Sequence, residues 1–102
     1  MPDYWFYREI YLGEEIPEVD FDETIQRAKE KFQEWEHIYG AIKLRPGIDN
    51  ALKYAICAVA EAMYDFMQED KNRAGGPLGK RTQSMREALY RREAQYYISF
   101  GF

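Results

Sequence analysis

The fold turns on the stretch Phe21-Asp22-Glu23-Thr24-Ile25-Gln26-Arg27-Ala28-Lys29-Glu30-Lys31-Phe32-Gln33-Glu34-Trp35-Glu36-His37-Ile38-Tyr39. Phe21, Ile25, Ala28, Phe32, Trp35 and Tyr39 recur at intervals of 4, 3, 4, 3 and 4, which places all six on one helical face with charged and amide side chains between them. The alternation of a strand fails, and a helix over about residues 21–39 is predicted. Asp20 followed by Glu23 has the form of a capping box with Asp in the lead position, and Gly40 supplies a left-handed stop.

Moving downstream, Pro46 and Gly47 place a reversing loop in residues 41–48, after which Asp49 is a candidate cap for a second long helix. Its apolar positions are Leu52, Ala55, Ile56, Val59, Ala60, Met63, Phe66 and Met67. Ala51, Ala55, Ala58, Ala60 and Ala62 keep it thin enough for close approach on more than one side, so it is expected to be the central helix. The Gly75, Gly76, Pro77, Gly79 cluster ends it. Ser84 and Glu87 then have capping-box spacing, and a further helix is expected from about Gln83 to Tyr97. Upstream, Tyr4, Tyr7 and Tyr11 lie at helical spacing behind Asp3 as N-cap, with Gly13 as the stop; a helix this short must dock on something.

The expected architecture is all-α: a bundle of about four helices, a short N-terminal one, two long antiparallel ones and a C-terminal one, with an aromatic tail. Residues 1–77 form the helical core, and residues 78–102 a basic helix and docking tail. Phe21, Ile25, Phe32, Trp35, Leu52, Ile56, Val59 and Met63 are the expected packing residues. At 102 residues the chain has room for one small domain. No apolar run approaches the roughly 20 residues of a membrane helix, and no charged n-region with an apolar h-region opens the chain, so neither a span nor a secretion signal is expected.

Catalytic residue types are sparse. The one histidine, His37, sits near a helix C-terminus, where an imidazolium suits the carbonyl end. The one cysteine, Cys57, lies among Ala55, Ile56, Ala58 and Val59 and reads as a buried apolar group; no disulfide or Cys/His zinc set is possible within the chain. Glu14, Glu15, Asp20, Asp22 and Glu23 lack the spacing of a calcium loop, and Gly75 to Lys80 lacks that of a phosphate loop. No enzyme activity, cofactor or metal is expected.

Charge and aromaticity point instead to surfaces. The net charge is −4. Residues 1–51 hold twelve acidic and six basic side chains, net −6, and residues 52–102 hold six and eight, net +2. Such polarity would guide a head-to-tail contact between subunits. Nine Tyr, six Phe and two Trp are many rings for a small interior, and large rings favour protein interfaces. Lys80, Arg81, Arg86, Arg91 and Arg92 form a basic run interrupted by one acid, Glu87. It suits either a protein interface or backbone contact with nucleic acid, although an isoelectric point near 5.0 disfavours a free-standing nucleic-acid binder.

Residues Asp3 to Pro17 resemble the "Y-x-F-Y-x-x-x-Y-G-G-x-x-I-P" opening of head-tail connector (head completion, or adaptor) proteins of long-tailed bacteriophages. Phe21 and Ala28 match the family's F-x-x-x-x-x-x-A helix. Ala51-Leu52-Lys53-Tyr54-Ala55-Ile56-Cys57-Ala58-Val59-Ala60-Glu61 is similar to its "V-K-x-A-x-C-A-x-A-E" helix. The likeness covers residues 3–68, and the family's strand-like segment after the alanine-rich helix has no counterpart. It implies a small adaptor, many copies of which form a ring under the portal protein, extend the DNA channel toward the tail and receive the next head-completion or tail protein. Genome DNA would pass without sequence-specific contact, and the location would be the virion, after assembly in the bacterial host cytoplasm. The family's C-terminal region reaches the portal, a role carried to Tyr96, Tyr97, Ile98, Phe100 and Phe102, with Lys80, Arg81, Arg86, Arg91 and Arg92 facing the channel or a neighbour. Deleting residues 98–102 is then expected to abolish partner binding and spare the helices. The other reading is a small nucleic-acid-associated or regulatory protein that uses the basic helix.

Overall fold

A computed structural model describes residues 1–73 and 79–100. The order of elements is a π-helical turn at Phe6–Ile10, α1 at Glu18–Tyr39, β1 at Lys43–Leu44, α2 at Ala51–Lys71, α3 at Lys80–Ala94 and β2 at Ile98–Ser99. The molecule is a small, mostly helical bundle, 44 × 33 × 17 Å, built on α2, which packs against α1, α3 and β2.

The face read from the sequence is the face that is buried. Phe21, Ile25, Ala28, Phe32 and Trp35 of α1 are all at most 3% exposed. They meet Ala55, Ile56, Cys57, Val59 and Ala60 of α2, whose small side chains let its neighbours close in. Met63 is half-buried against this core, whereas Leu52 is 39% exposed and is not a packing residue. Leu52 sits in the first turn of α2, where Ala51 takes the buried place instead. Ala94 and Ile98 belong to the same core, so residues beyond 78 are part of the bundle's interior as well as its surface.

Helix ends differ from the capping expectations. α1 begins three residues early, behind Pro17, and Asp20 lies inside it, accepting a hydrogen bond from the Tyr64 hydroxyl at 3.0 Å. Pro17 in extended geometry pre-sets the start without a side-chain cap. α2 is preceded by Asn50 at φ 57°, in the left-handed region, rather than capped by Asp49. α3 starts at Lys80 and stops at Ala94, so Ser84 is mid-helix and Glu87 bonds Lys31 of α1. Gly40, at φ 86°, does end α1. The Gly75, Gly76 and Pro77 stop lies outside the described residues.

At the N-terminus, Asp3 caps as expected, its carboxylate accepting from the Phe6 N–H at 2.8 Å. The helix it starts is wound to a π-helical turn. Leu12, at φ 65°, is the residue that takes the left-handed conformation. Gly13 serves a different purpose: a Cβ there would overlap the Tyr7 ring. The two strands were not foreseen. Lys43 and Leu44 pair antiparallel with Ser99 and Ile98, closing the tail over the loop between α1 and α2.

Candidate interaction surfaces

Three places concentrate polar chemistry, and each is assembled from elements distant in sequence. The first joins the N-terminal segment to α2. The Tyr7 hydroxyl, fully buried, donates to Glu61 Oε2 at 2.8 Å and accepts from the Glu15 and Ile16 N–H groups at 3.0 and 2.9 Å. The Tyr11 hydroxyl donates to the other oxygen of Glu61 at 3.2 Å. Burial and the Glu61 charge push both phenols above the ordinary tyrosine range, so they remain donors at any physiological pH. Edge and tilted ring contacts bind Tyr4 and Tyr7 to Phe21 of α1. A helix docked only for its apolar face would need no such donors. Two tyrosines a helical turn apart, facing one glutamate, were the available signal.

Beside this joint lies an open groove of about 280 Å³, with Ala58, Ala62, Phe66 and Leu89 on its walls and the carboxylates of Glu15, Glu61, Asp65 and Glu93 around it. Burial, then the neighbouring Asp65 and Glu61, push the Glu15 carboxyl up to about 7. Glu15 and Glu61, unremarkable in the sequence, are brought together here by the fold.

The second place is the inner side of α3. Arg86 is 8% exposed, donates to both oxygens of Asp70 at 2.9 and 3.0 Å, and lies over the Phe66 ring at 4.4 Å. Its guanidinium holds the Asp70 carboxyl below the usual range. Arg86 is therefore an internal strut between α3 and α2 and not a channel-lining or partner-facing cation. Burial pulls the Lys31 ammonium down, but the hydrogen bonds it donates to Glu87 and Glu34 outweigh that and leave it raised. Of the remaining basic run, Arg81 and Arg92 are exposed, Arg91 is half-buried, and Lys80 is the first residue of α3.

The third is the tail, expected to dock on a partner, most of whose described residues pack on the chain's own bundle. Ile98 is completely buried. Tyr97 stacks on Tyr54 at 5.6 Å, and Phe100 packs on Trp35 and Tyr39 at 5.5 and 5.1 Å. The physical reason is local: the backbone of β1 offers hydrogen bonds at the register where Ile98 meets a core vacancy, and Arg45 adds bonds to the Tyr97 and Gln95 carbonyls at 3.0 and 2.7 Å. Of the five tail residues named from the sequence, Tyr96 remains 67% exposed, and Phe102 lies outside the described residues.

His37 is exposed in the last turn of α1. Cys57 is buried, and burial together with the Glu61 charge pushes its thiol up to about 12, which leaves no thiolate at neutral pH. Among the described residues no helix is long and apolar enough to cross a membrane, and no cluster of His, Cys, Asp and Glu could hold a metal ion. Comparison with protein-family models, with curated proteins and with solved structures finds no match to this chain.

Proposed function

We propose that the chain is a structural head-tail connector of a long-tailed bacteriophage, a non-enzymatic adaptor that assembles as a ring on the portal protein and carries the DNA channel toward the tail. The observation that carries this reading is the Tyr7 and Tyr11 bonding to Glu61. The two stretches on which the family resemblance rests, Asp3 to Pro17 and Ala51 to Glu61, are partners in one joint, and Gly13 is small because Tyr7 fills its space. Residues of an otherwise unremarkable motif acquire a shared structural purpose, which favours a common architecture over chance likeness. The surface agrees with a life among other proteins: Trp5, Leu12, Val19, Met85 and Tyr96 are each at least 64% exposed.

Within this reading Tyr96 is the portal-facing anchor of the C-terminal region, while Ile98, Tyr97 and Phe100 hold its base rigid. Function is then assembly: rings and aliphatic side chains fill grooves on the portal, on the next tail or head-completion protein and on neighbouring copies. The alternative of nucleic-acid binding is weakened by Arg86, which spends its charge on Asp70. The test is to mix the soluble chain with portal particles and image them. A ring on the portal, lost with Tyr96→Ala, supports the reading; portals that stay bare across a range of salt concentrations overturn it.

A further inference from the structure

The exposed sides of α1 and α3 differ in charge and resemble each other in one respect. On α3, Arg81, Met85, Ala88 and Arg92 follow at steps of 4, 3 and 4, and all are exposed. The two acids of α3 are turned to other work: Glu87 is bound to Lys31, and Glu93 lies on the carboxylate groove. The outer stripe therefore carries arginine and apolar side chains with no carboxylate. On α1, Val19, Asp22, Gln26, Glu30 and Gln33 follow at steps of 3, 4, 4 and 3, and all are exposed. The exposed Arg27 beside this stripe is paired with Glu23 at 3.5 Å. Each stripe also carries an aliphatic side chain in solvent, Met85 at 65% and Val19 at 89% exposure.

We infer that these two stripes are the halves of one head-to-tail contact between copies of this chain, the α3 face of each copy seated on the α1 face of the next. Charge decides the pairing. A contact of α3 with α3 opposes arginines, a contact of α1 with α1 opposes carboxylates, and only the mixed contact brings unlike charges together around two apolar side chains. A nucleic-acid strand fits the α3 stripe less well, because Met85 and Ala88 sit between the arginines where phosphates would lie. Since the two faces are different, the contact is heterologous, and repeating it gives a closed ring or a filament. The inference deepens the connector reading, because it names the contact from which the ring is built.

The test is sedimentation of the full chain over a concentration series up to about 1 mM, the range in which weak contacts are read. Wild type is expected to self-associate, less so as salt rises. Arg81→Glu with Arg92→Glu should weaken association at least about tenfold, as should Asp22→Lys with Glu30→Lys. An equimolar mixture of the two double variants should recover it, because every reversed face then finds an oppositely charged one. Met85→Ser, which adds no charge, gives a second route should a reversal disturb the helices in circular dichroism; it too should weaken association. Wild type that stays monomeric at about 1 mM, variants that associate as wild type does, or a mixture that stays dispersed would each overturn the inference. Portal imaging separates the two ideas: a salt-sensitive, mixture-rescued contact with bare portals removes the connector reading alone, and portal rings unaffected by any of these variants remove the contact alone.

Discussion

The two ends of the chain are both held on the bundle, but by different chemistry. The N-terminal segment is fastened by hydrogen bonds: Tyr7 and Tyr11 donate to a single carboxylate on α2, and Tyr7 also receives two backbone N–H groups. The C-terminal segment is fastened by shape: Ile98 fills the core and Phe100 lies on Trp35 and Tyr39, with two short strands fixing the register. Aromatic richness alone does not separate these cases. What separates them is where each hydroxyl finds its partner.

Substitutions can break or sharpen this contrast. The largest effect is expected at the C-terminal end, where Ile98→Ala should cost about 2–5 kcal/mol by leaving a cavity, read by urea denaturation. Tyr7→Phe tests the other end. It keeps the ring but leaves Glu61 Oε2 and the Glu15 and Ile16 N–H groups without the hydroxyl, and should cost about 1–3 kcal/mol, with faster hydrogen exchange confined to residues 3–16. Tyr11→Phe leaves Glu61 its bond from Tyr7 and should cost less, about 0.5–1.5 kcal/mol. A result in which Tyr7→Phe and Tyr11→Phe are indistinguishable would show that the two N–H bonds accepted by the Tyr7 hydroxyl carry no weight.

The smallest effect is a pH dependence. In the folded chain Glu15 titrates near 7, above the ordinary glutamate value of 4.5, so folding favours its protonated form. Its contribution is therefore complete below about 4.5 and is lost as pH rises through about 7. Glu15→Gln should flatten the stability profile in that window and slow exchange of the N-terminal segment at pH 8, where wild type carries the full charge. Asp70 acts in the opposite sense. Its carboxyl is held low by Arg86, so its contribution is present at neutral pH and disappears in acid. In thermal melts at pH 8, Glu15→Gln should raise the melting temperature and Asp70→Asn lower it; at pH 4 the Glu15→Gln gain should have gone while the Asp70→Asn loss persists.

What was legible in the sequence was what periodicity reports. Phe21, Ile25, Ala28, Phe32 and Trp35 were assigned to the core by spacing and are there, because a long amphipathic helix has one way to bury its apolar side. Starts of helices were read less well. Asp20, Asp49 and Ser84 are all good capping residues, yet Pro17, Asn50 and Gly79 hold the places, since backbone geometry and a tertiary partner each outweigh a cap of about 1 kcal/mol. The tail was misread because exposure is a property of the whole chain: Ile98 and Phe100 needed a surface to cover, and α1 and α2 supply it. Arg86 illustrates the same limit for charge. A run of arginines says nothing of which one turns inward to meet Asp70, 16 residues earlier in the chain.

Because Tyr11 bonds a glutamate 50 residues further along, the order of synthesis matters for the joint between them. At about 5–20 residues per second, the first seventeen residues wait roughly 3–10 s before Glu61 exists. Phe100, which covers Trp35, is made later still. During translation the tyrosines therefore stay uncovered until Glu61 is made, and the Trp35 indole stays uncovered for longer, until Phe100 follows.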